Sequence, residues 1–386
     1  MADYLTPGVY MEEFETCPKP IEGVKTSTVG FVGMAEKGNE DEPTLITSWH
    51  EFADKFGRYT ANAPFLAPSV YGFFANGGMR CFVARLKDRA TDQDYIGVDE
   101  GPGKKTGLQT FTKVDEIGTV CIPGVTLVTV QQALVAHCEY MKNRFCILDS
   151  HKNAGIADVL MQRENIVSEK GYGALYYPWV KVPVETQSAL TNKVTIVEDI
   201  VPPSGYVAGI YARTDMERGV QKAPANEEIY EALGVGAIIG RSEQDTLTGK
   251  GINCIKKFPG KKVRVWGART LSTDPERKYI NVCRLLVYLE ESIYKGTQWV
   301  VFEPNAEPLW AQIRLNVGAF MHNLFRQGSF QGSTPRDAYF VKCDKETTTQ
   351  NGINLGIVNI LVGFAPIKPA EFLIIKMQQM AGQIQA

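Results

Sequence analysis

The sequence lacks a strong charge of either sign and has few histidines. Its 386 residues contain 41 Lys and Arg against 43 Asp and Glu, which gives a formal net charge of −2, and only 4 histidines. A nearly neutral chain has no field of the kind that attracts nucleic acid or an anionic lipid surface. We therefore expect no nucleic acid among its partners.

Long hydrophobic runs are also absent. The most apolar stretch, residues 357–364, is much shorter than the roughly 18 apolar residues that a membrane-spanning helix needs. Asp3 stands where a signal peptide carries basic residues, and no apolar core follows it. We expect a protein that folds in the cytoplasm and is not inserted directly into a membrane.

Cysteine and histidine occur without the spacings that bind metals. The eight cysteines form no C-x-x-C pair, and several lie in apolar strings such as residues 80–84 (RCFVA), where thiols are usually buried and free. The histidines are far apart and stand near no pair of carboxylates at metal-binding spacing. We expect no disulfides, no metal site and no cofactor.

From about residue 25 to 265, segments typical of strands alternate with segments typical of helices. Helical spacing over residues 49–56 begins after the capping residue Ser48 and stops at Gly57. The other predicted helices are residues 130–142 and 154–170, and the predicted strands are residues 27–34, 80–85, 119–123, 144–149 and 173–181. Strands separated by helices of about 10 to 15 residues indicate an α/β domain with a parallel or mixed sheet.

From about residue 266 to 365, the pattern changes to long helices with a few strands. Asp274 and Gly296 are typical of the start and the end of one helix; Asn305 and Gly328 bound a second. The predicted strands are residues 299–303, 338–343 and 355–364. This region is expected to be α+β.

Both ends of the chain have the pattern of extended arms. Prolines and glycine in residues 1–24 exclude a helix, and residues 366–386 place an apolar strand pattern after Pro366 and Pro369, with no later element to cover it. An unpaired apolar strand at a chain end is an aggregation hazard unless another chain pairs with it. The C-terminal pattern indicates an arm that pairs with another chain. Residues 1–24 are either a disordered terminus or an arm that orders on another chain, and the prolines would mark the joints.

Catalytic motifs are weak. Asp149, Ser150 and His151 are the residue types of a serine-hydrolase triad, but consecutive side chains point in different directions and no G-x-S-x-G motif occurs. A polar strand end is the favoured interpretation. The alternative is an α/β hydrolase-like enzyme that uses these three residues and would lose turnover in Ser150→Ala.

Three glycine-rich segments resemble nucleotide-binding loops only in part. Residues 234–240 (GVGAIIG), 103–106 (GKKT) and 249–251 (GKG) all miss the spacing that wraps a phosphate or a dinucleotide. One basic cluster is present, and it is either an inter-subunit charge patch or a solvated strand. Its members are Lys257, Lys261, Lys262, Arg264 and Arg269.

Several segments resemble the contractile tail sheath protein family, nearly from end to end. They are residues 4–13 (YLTPGVYMEE), 202–215 (PPSGYVAGIYARTD), 222–226 (KAPAN), 269–272 (RTLS), 279–282 (YINV), 289–293 (LEESI), 299–305 (WVVFEPN), 340–344 (FVKCD) and 365–372 (APIKPAEF). The chain departs from the family pattern at Arg277, where an aromatic residue is frequent, and at Cys283, where a basic residue is frequent. Its short length is similar to that of the compact sheaths of phage-tail-like particles.

The resemblance implies a tail-sheath fold and a structural, non-enzymatic role. The implied parts are an N-terminal linking arm (1–24), an outer α/β domain with a mixed sheet (25–265), an inner α+β C-terminal domain (266–365) and a C-terminal linking arm (366–386). The subunit would form a helical homo-oligomer of stacked rings around an inner tube and contract to drive the tube through a target envelope. The implied partners are further copies, the tube protein, the baseplate, and terminator or cap proteins. The particle would be a virion tail or a released phage-tail-like particle, assembled in the bacterial cytoplasm.

The resemblance also implies which residues make contacts between subunits, since the arms of the family add strands to sheets of neighbouring copies. These linking residues are Pro7, Gly8, Val9, Tyr10, Phe372, Leu373, Ile374, Ile375 and Met377. Arg314 and Arg326 are implied to face the tube, because the family places its C-terminal domain inward. A surface-layer or capsid-like shell protein would share the assembly principle without these motifs, and would form sheets or closed shells rather than tubes.

Overall fold

The computed structural model describes residues 20–187 and 194–371. Within those ranges the chain forms two compact units, which we call the larger unit (residues 24–291 and 366–371) and the smaller unit (residues 20–23 and 292–365). The fold is mixed α/β, as the alternating pattern predicts.

The larger unit contains most of the helices and strands. In chain order they are β1 Val29–Met34, β2 Thr44–Ile46, α1 Trp49–Phe56, α2 Leu66–Ala75, β3 Cys81–Leu86, α3 Asp92–Ile96, β4 Thr119–Cys121, α4 Val128–Met141, β5 Phe145–Asp149, α5 Ile156–Glu164, β6 Gly173–Tyr177, β7 Val180–Gln187, β8 Val194–Val201, α6 Ser204–Arg218, β9 Glu227–Glu228, β10 Gly234–Val235, α7 Arg241–Gly249, β11 Ile252–Lys257, β12 Val263–Trp266 and α8 Ile280–Gly296. A 3-10 helix spans Gly107–Lys113, and α8 continues into the smaller unit at residue 292.

A mixed sheet forms the centre of the larger unit. Among the described residues it has the strand order β2-β3-β1-β4-β5-β6-β11-β12-β9. The strands from β3 to β11 in this order run parallel, while β2 pairs antiparallel with β3, and β12 pairs antiparallel with both β11 and the edge strand β9. β5 and β6 are buried along their whole length, as expected for parallel strands covered on both faces. One face packs on α1, α2 and α6 around Phe52, Phe73 and Tyr206, and the other packs on helices that include α4 and α7.

Glycines allow α2 and α6 to approach each other closely. A Cβ on Gly205 would lie 2.2 Å from the Ser69 carbonyl oxygen, and one on Gly209 would lie 2.5 Å from the Phe73 carbonyl oxygen. On the other helix, a Cβ on Gly72 would lie 2.4 Å from the Tyr206 ring. The segment 202–215 therefore forms a helix whose glycines contact backbone of its neighbour.

A second, three-stranded sheet has the order β10-β7-β8. The strand predicted over residues 173–181 is wrong as a single element, since it is divided between the two sheets at the cis Tyr177–Pro178 bond. Pro178 has no N–H to donate to a ladder, so a break in pairing falls there. The predicted helix at residues 154–170 is also too long, because α5 ends at Glu164.

The smaller unit contains α9 Glu307–Arg326, α10 Pro335–Ala338, β13 Tyr339–Lys342, α11 Gln350–Asn354 and β14 Leu361–Phe364. Leu309, Ile313, Val317 and Leu324 form the buried face of α9 with the predicted helical spacing. β13 and β14 pair antiparallel as a two-stranded sheet.

Four sequence predictions for helix and strand bounds are wrong between residues 274 and 364. The strand predicted at residues 355–364 is one of them, since it forms only at Leu361–Phe364. The helix predicted to start at Asp274 begins at Ile280, and α9 is preceded by Ala306 rather than capped by Asn305, whose side chain instead accepts a hydrogen bond from Trp310 Nε1 at 2.9 Å. The strand predicted at residues 299–303 is a 3-10 turn followed by an exposed Phe302 with φ of 72°. Its β-branched and aromatic residues have no neighbouring strand in the described chain with which to pair.

Candidate assembly surfaces

Asp149, Ser150 and His151 lie at the carboxyl end of β5, but their side chains do not form the hydrogen-bonded chain of a catalytic triad. Asp149 Oδ1 accepts from Ser204 N (2.8 Å), and Oδ2 accepts from Ser204 Oγ (2.7 Å) and Gly124 N (3.0 Å). Burial raises the pKa of the Asp149 carboxyl to about 6, against these hydrogen bonds, which favour the ionised form. His151 Nδ1 instead contacts Thr126 Oγ1 at 2.7 Å. Asp149 thus holds the first turn of α6, and the geometry gives the hydrolase alternative no support.

The remaining motifs give no chemical site in the part of the chain that the structure describes. The seven described cysteines are buried and free. Residues 20–187 and 194–371 contain no cluster of His, Cys, Asp and Glu that could hold a metal ion. No described helix is both long and apolar enough to cross a membrane.

The basic cluster between residues 257 and 269 is largely engaged within the chain. Lys262 forms an ion pair with Glu228 at 2.8 Å, Lys257 Nζ donates to the Leu233 carbonyl, and Arg264 donates to Asn226. Arg269 binds Glu371, which lies 102 positions further along the chain. Lys261 remains exposed at the tip of the β11–β12 hairpin.

Arg269 and Glu371 form a two-pronged ion pair at the start of the C-terminal arm. Arg269 Nε and Nη2 donate to Glu371 Oε1 (2.9 Å) and Oε2 (2.8 Å), and Tyr279 OH donates to Oε2 at 3.1 Å. Burial opposes ionisation of Glu371, but the hydrogen bonds from Arg269 and Tyr279 outweigh it and lower the pKa of this carboxyl. Sequence reasoning missed this pair, because nothing local links residue 269 to residue 371.

The predicted linking residues themselves, Pro7, Gly8, Val9, Tyr10, Phe372, Leu373, Ile374, Ile375 and Met377, lie outside the described residues. What the structure describes is the chain that leads to them. Glu371 directly precedes the C-terminal group.

The two-stranded sheet has one covered face and one exposed face. In the register Phe340 is opposite Gly363 and Lys342 is opposite Leu361, so these four side-chain positions share a face. Phe340 and Leu361 are 48% and 51% exposed. A Cβ on Gly363 would lie 2.3 Å from the Phe340 ring, which shows that the ring covers the bare backbone of its cross-strand partner.

Arg314 and Arg326 both lie on α9, but in different environments. Arg314 donates to the Cys343 carbonyl and to Glu307 Oε1 (2.7 Å), whereas Arg326 is exposed in the last turn and has no ion-pair partner among the described residues. Twelve residues at 3.6 per turn place them roughly 120° apart around the helix. They therefore do not share one face.

Comparisons with known proteins agree with this architecture. Residues 90–271 match the family model of the phage tail sheath protein central domain, and residues 272–380 match that of the phage tail sheath C-terminal domain. The chain belongs to the phage tail sheath family.

Similar proteins include sheath proteins of contractile particles. The chain is 27% identical over 359 residues to a prophage major tail sheath protein of Pseudomonas aeruginosa (strain UCBPP-PA14). The alignment covers 88% of this chain and 86% of the relative. It is 30% identical to a chain of the helical sheath of the anti-feeding prophage (AFP) in its contracted state, with a TM-score of 0.78 over 98% of this chain and 100% of that one. It is 27% identical to a chain of the PVC sheath complex of an extracellular contractile injection system in its contracted state. The TM-score is 0.78, over 98% of this chain and 99% of that one.

Proposed function

We propose that this sheath protein is the repeating subunit of a contractile sheath, which polymerises as stacked rings around an inner tube and contracts to drive the tube through a target envelope. The observation that carries this proposal is the similarity to the contracted AFP sheath at 30% identity over 98% of the chain. Because so little of the chain lies outside the match, the proposal applies to the whole subunit.

The same similarity supports the choice of partners: further copies of the chain, an inner tube protein, a baseplate, and terminator or cap proteins. We place residues 25–265 outward and residues 266–365 toward the tube, with arms at 1–24 and 366–386. Assembly would occur in the bacterial cytoplasm, and the product would be a virion tail or a released phage-tail-like particle. The subunit would catalyse no reaction.

The two-stranded sheet is the surface that we propose accepts an arm from a neighbouring copy. A sheet of two strands is marginal alone, and an added strand would give it backbone hydrogen bonds at an edge that is unpaired within the described chain. A strand of about five residues would add four or five hydrogen bonds, each contributing about 0.5 to 1.5 kcal/mol. The exposed side chains of Phe340 and Leu361 offer apolar contacts beside that edge.

Contraction would be driven by packing between subunits, without a nucleotide consumed at this subunit. The larger unit exposes several large apolar side chains, among them Tyr140 (79%), Met161 (64%) and Ile238 (94%). Burying such side chains contributes about 25 cal/mol per Å² of apolar surface. Contacts of this kind, gained as subunits come together, would supply the free energy of contraction.

Deletion of residues 372–386 tests the linking role of the C-terminal arm while it keeps Glu371. The full chain, produced with its tube protein, should form hollow cylinders in negative-stain electron microscopy, and the truncated chain should fold with an unchanged melting temperature but form none. Intact cylinders from the truncated chain would refute the linking role. Flat sheets or closed shells from the full chain would favour the surface-layer or capsid-like alternative.

Arg326 is the better of the two candidates for a contact with the tube, because Arg314 is held by Cys343 and Glu307. Arg326→Glu should weaken co-sedimentation of the tube with the sheath. Arg336→Glu, an exposed arginine in α10, is the matched control. Equal loss in both variants would show a general charge effect and remove Arg326 from the proposal.

A further inference from the structure

Residues 366–371, which follow β14, are fastened to the larger unit at three points. Asn281 Nδ2 donates to the Ile367 carbonyl at 2.9 Å, Lys368 Nζ contacts Glu276 Oε1 at 3.0 Å, and Glu371 binds Arg269. Asn281 lies at the start of α8, and Glu276 and Arg269 lie in the segment between β12 and α8. Pro369 therefore lies between two attachment points rather than at a free joint.

Glu371 is the strongest of the three attachments. Its side chain is 17% exposed and that of Arg269 is 12% exposed, whereas Lys368 and Glu276 are 42% and 72% exposed. Exposed ion pairs contribute little, since water and salt screen them, but a bidentate guanidinium–carboxylate pair removed from water holds one geometry. Lys278 Nζ adds a further positive charge 3.7 Å from Glu371 Oε2.

The binding partner of Glu371 is positioned independently of it. The buried Asn253 on β11 accepts from Arg269 N and donates to the Arg269 carbonyl, both at 2.7 Å. Arg269 Nη1 also donates to the Thr248 carbonyl at 2.7 Å. The backbone of Arg269 is thus held by the sheet and its guanidinium group by the end of α7, which leaves the Nε and Nη2 edge facing Glu371.

We propose that Glu371 and Arg269 form a clamp that sets where the C-terminal arm leaves the subunit, and so how far the arm reaches into a neighbouring copy. This inference rests on the proposed function. An arm free from residue 372 has 15 residues and spans at most roughly 50 Å when fully extended, whereas an arm free from residue 366 has 21 residues and spans at most roughly 70 Å. The clamp limits the spacing that the arm permits between linked subunits.

The first test uses the free chain and limited digestion with proteinase K, and follows cleavage within residues 366–371 by mass spectrometry. E371Q keeps the shape of the side chain but removes its charge, and R269K keeps the charge but loses the two-pronged geometry. Both should speed cleavage of this segment roughly tenfold or more, and the double variant should be cleaved no faster than E371Q. E164Q is the matched control, because Glu164 forms an exposed ion pair with Lys250 and should be cleaved like the native chain.

The second test uses sheath formed with the tube protein and examined by electron microscopy. E371Q should give fewer cylinders, or cylinders with irregular spacing between their rings, and its melting temperature should lie within about 2 °C of that of the native chain. E164Q should form the same sheath as the native chain. A clamp that only stabilised the fold would lower the melting temperature in proportion to the loss of cylinders.

The two tests separate failure of this inference from failure of the proposed function. Cleavage of E371Q at the native rate would overturn the clamp. Faster cleavage with sheaths of unchanged ring spacing would overturn its role in setting the reach of the arm. If the native chain itself forms no sheath with its tube protein, the proposed function fails, and the reach of the arm fails with it.

Discussion

Arg284 of α8 and Asp215 of α6 form a buried ion pair in which Nη1 and Nη2 donate to Oδ1 and Oδ2 at 2.8 and 2.5 Å. Their side chains are only 4% and 5% exposed. Thr26 Oγ1 donates to the same carboxylate at 2.6 Å, and the Arg284 guanidinium lies 4.7 Å from the centre of the Tyr211 ring. The pair therefore ties the chain before β1 to two helices, and it requires both charges because each is removed from water.

Arg284→Ala should destabilise the larger unit strongly, since it leaves Asp215 buried without its counter-charge. We expect a loss of about 3 to 5 kcal/mol in the free energy of unfolding, measured by denaturant titration of the free chain. Lys250→Ala, which breaks the exposed pair with Glu164, should cost less than about 1 kcal/mol. Similar losses in the two variants would contradict the distinction between buried and exposed pairs.

Gly209→Ala and Gly249→Ala should change stability in opposite directions. A Cβ at residue 209 would meet the Phe73 carbonyl at 2.5 Å, so α2 and α6 would have to separate, at a cost of about 1 to 3 kcal/mol. At residue 249, in the last turn of α7, a Cβ would meet nothing within 4 Å, and alanine should stabilise by up to about 1 kcal/mol. Thermal unfolding of both variants checks this, and a stabilised Gly209→Ala would show that the two helices are not in close contact.

Asp149 should make the larger unit less stable as pH rises from about 4 to 6. Its pKa is raised from 3.8 to about 6 in the folded chain, so in this interval the folded state binds a proton that the unfolded state has released. Folding stability then falls with rising pH by about 3 kcal/mol in total, and it changes little further above about pH 7 through this group.

The matching measurement compares the native chain with Asp149→Asn, which cannot ionise. The difference between their free energies of unfolding should shift by about 3 kcal/mol between pH 3 and pH 7, to the disadvantage of the native chain. Asp245→Asn, at an exposed position in α7, is the control and should run parallel to the native chain. A constant difference between native and Asp149→Asn chains would show that burial does not raise this pKa.

The features predicted well from the sequence are those with local causes. Helix α1 begins after Ser48, whose Oγ accepts from Glu51 N at 3.2 Å, and ends at Gly57 with φ of 83°, as its capping residues predict. The alternation of strands and helices predicted the mixed sheet, because the hydrophobic pattern within each segment is enough to distinguish a strand from a helix. The buried face of α9 followed from spacing alone.

The features that the sequence did not predict depend on contacts between distant residues. Arg269 and Glu371 are separated by 102 positions, and neither residue is unusual in its local context. Residues 299–303 have side chains that favour a strand, yet no described strand lies beside them. Without a partner for backbone hydrogen bonds, this preference does not produce a strand. For the arms, the sequence predicts pairing with another chain, which no single subunit can display.

Leu361→Asp should block assembly while the free chain still folds. Leu361 is half exposed on the outer face of the two-stranded sheet, beside the edge that we propose pairs with an arm, so the aspartate is solvated in the free chain but would be desolvated in the sheath. The sedimentable fraction formed with the tube protein should fall roughly tenfold or more, with little change in melting temperature. Leu355→Asp is the matched control, because Leu355 is 66% exposed in the same unit but lies outside the sheet. Normal sheath from Leu361→Asp, or equal loss from both variants, would mean that the arm does not bind at this face.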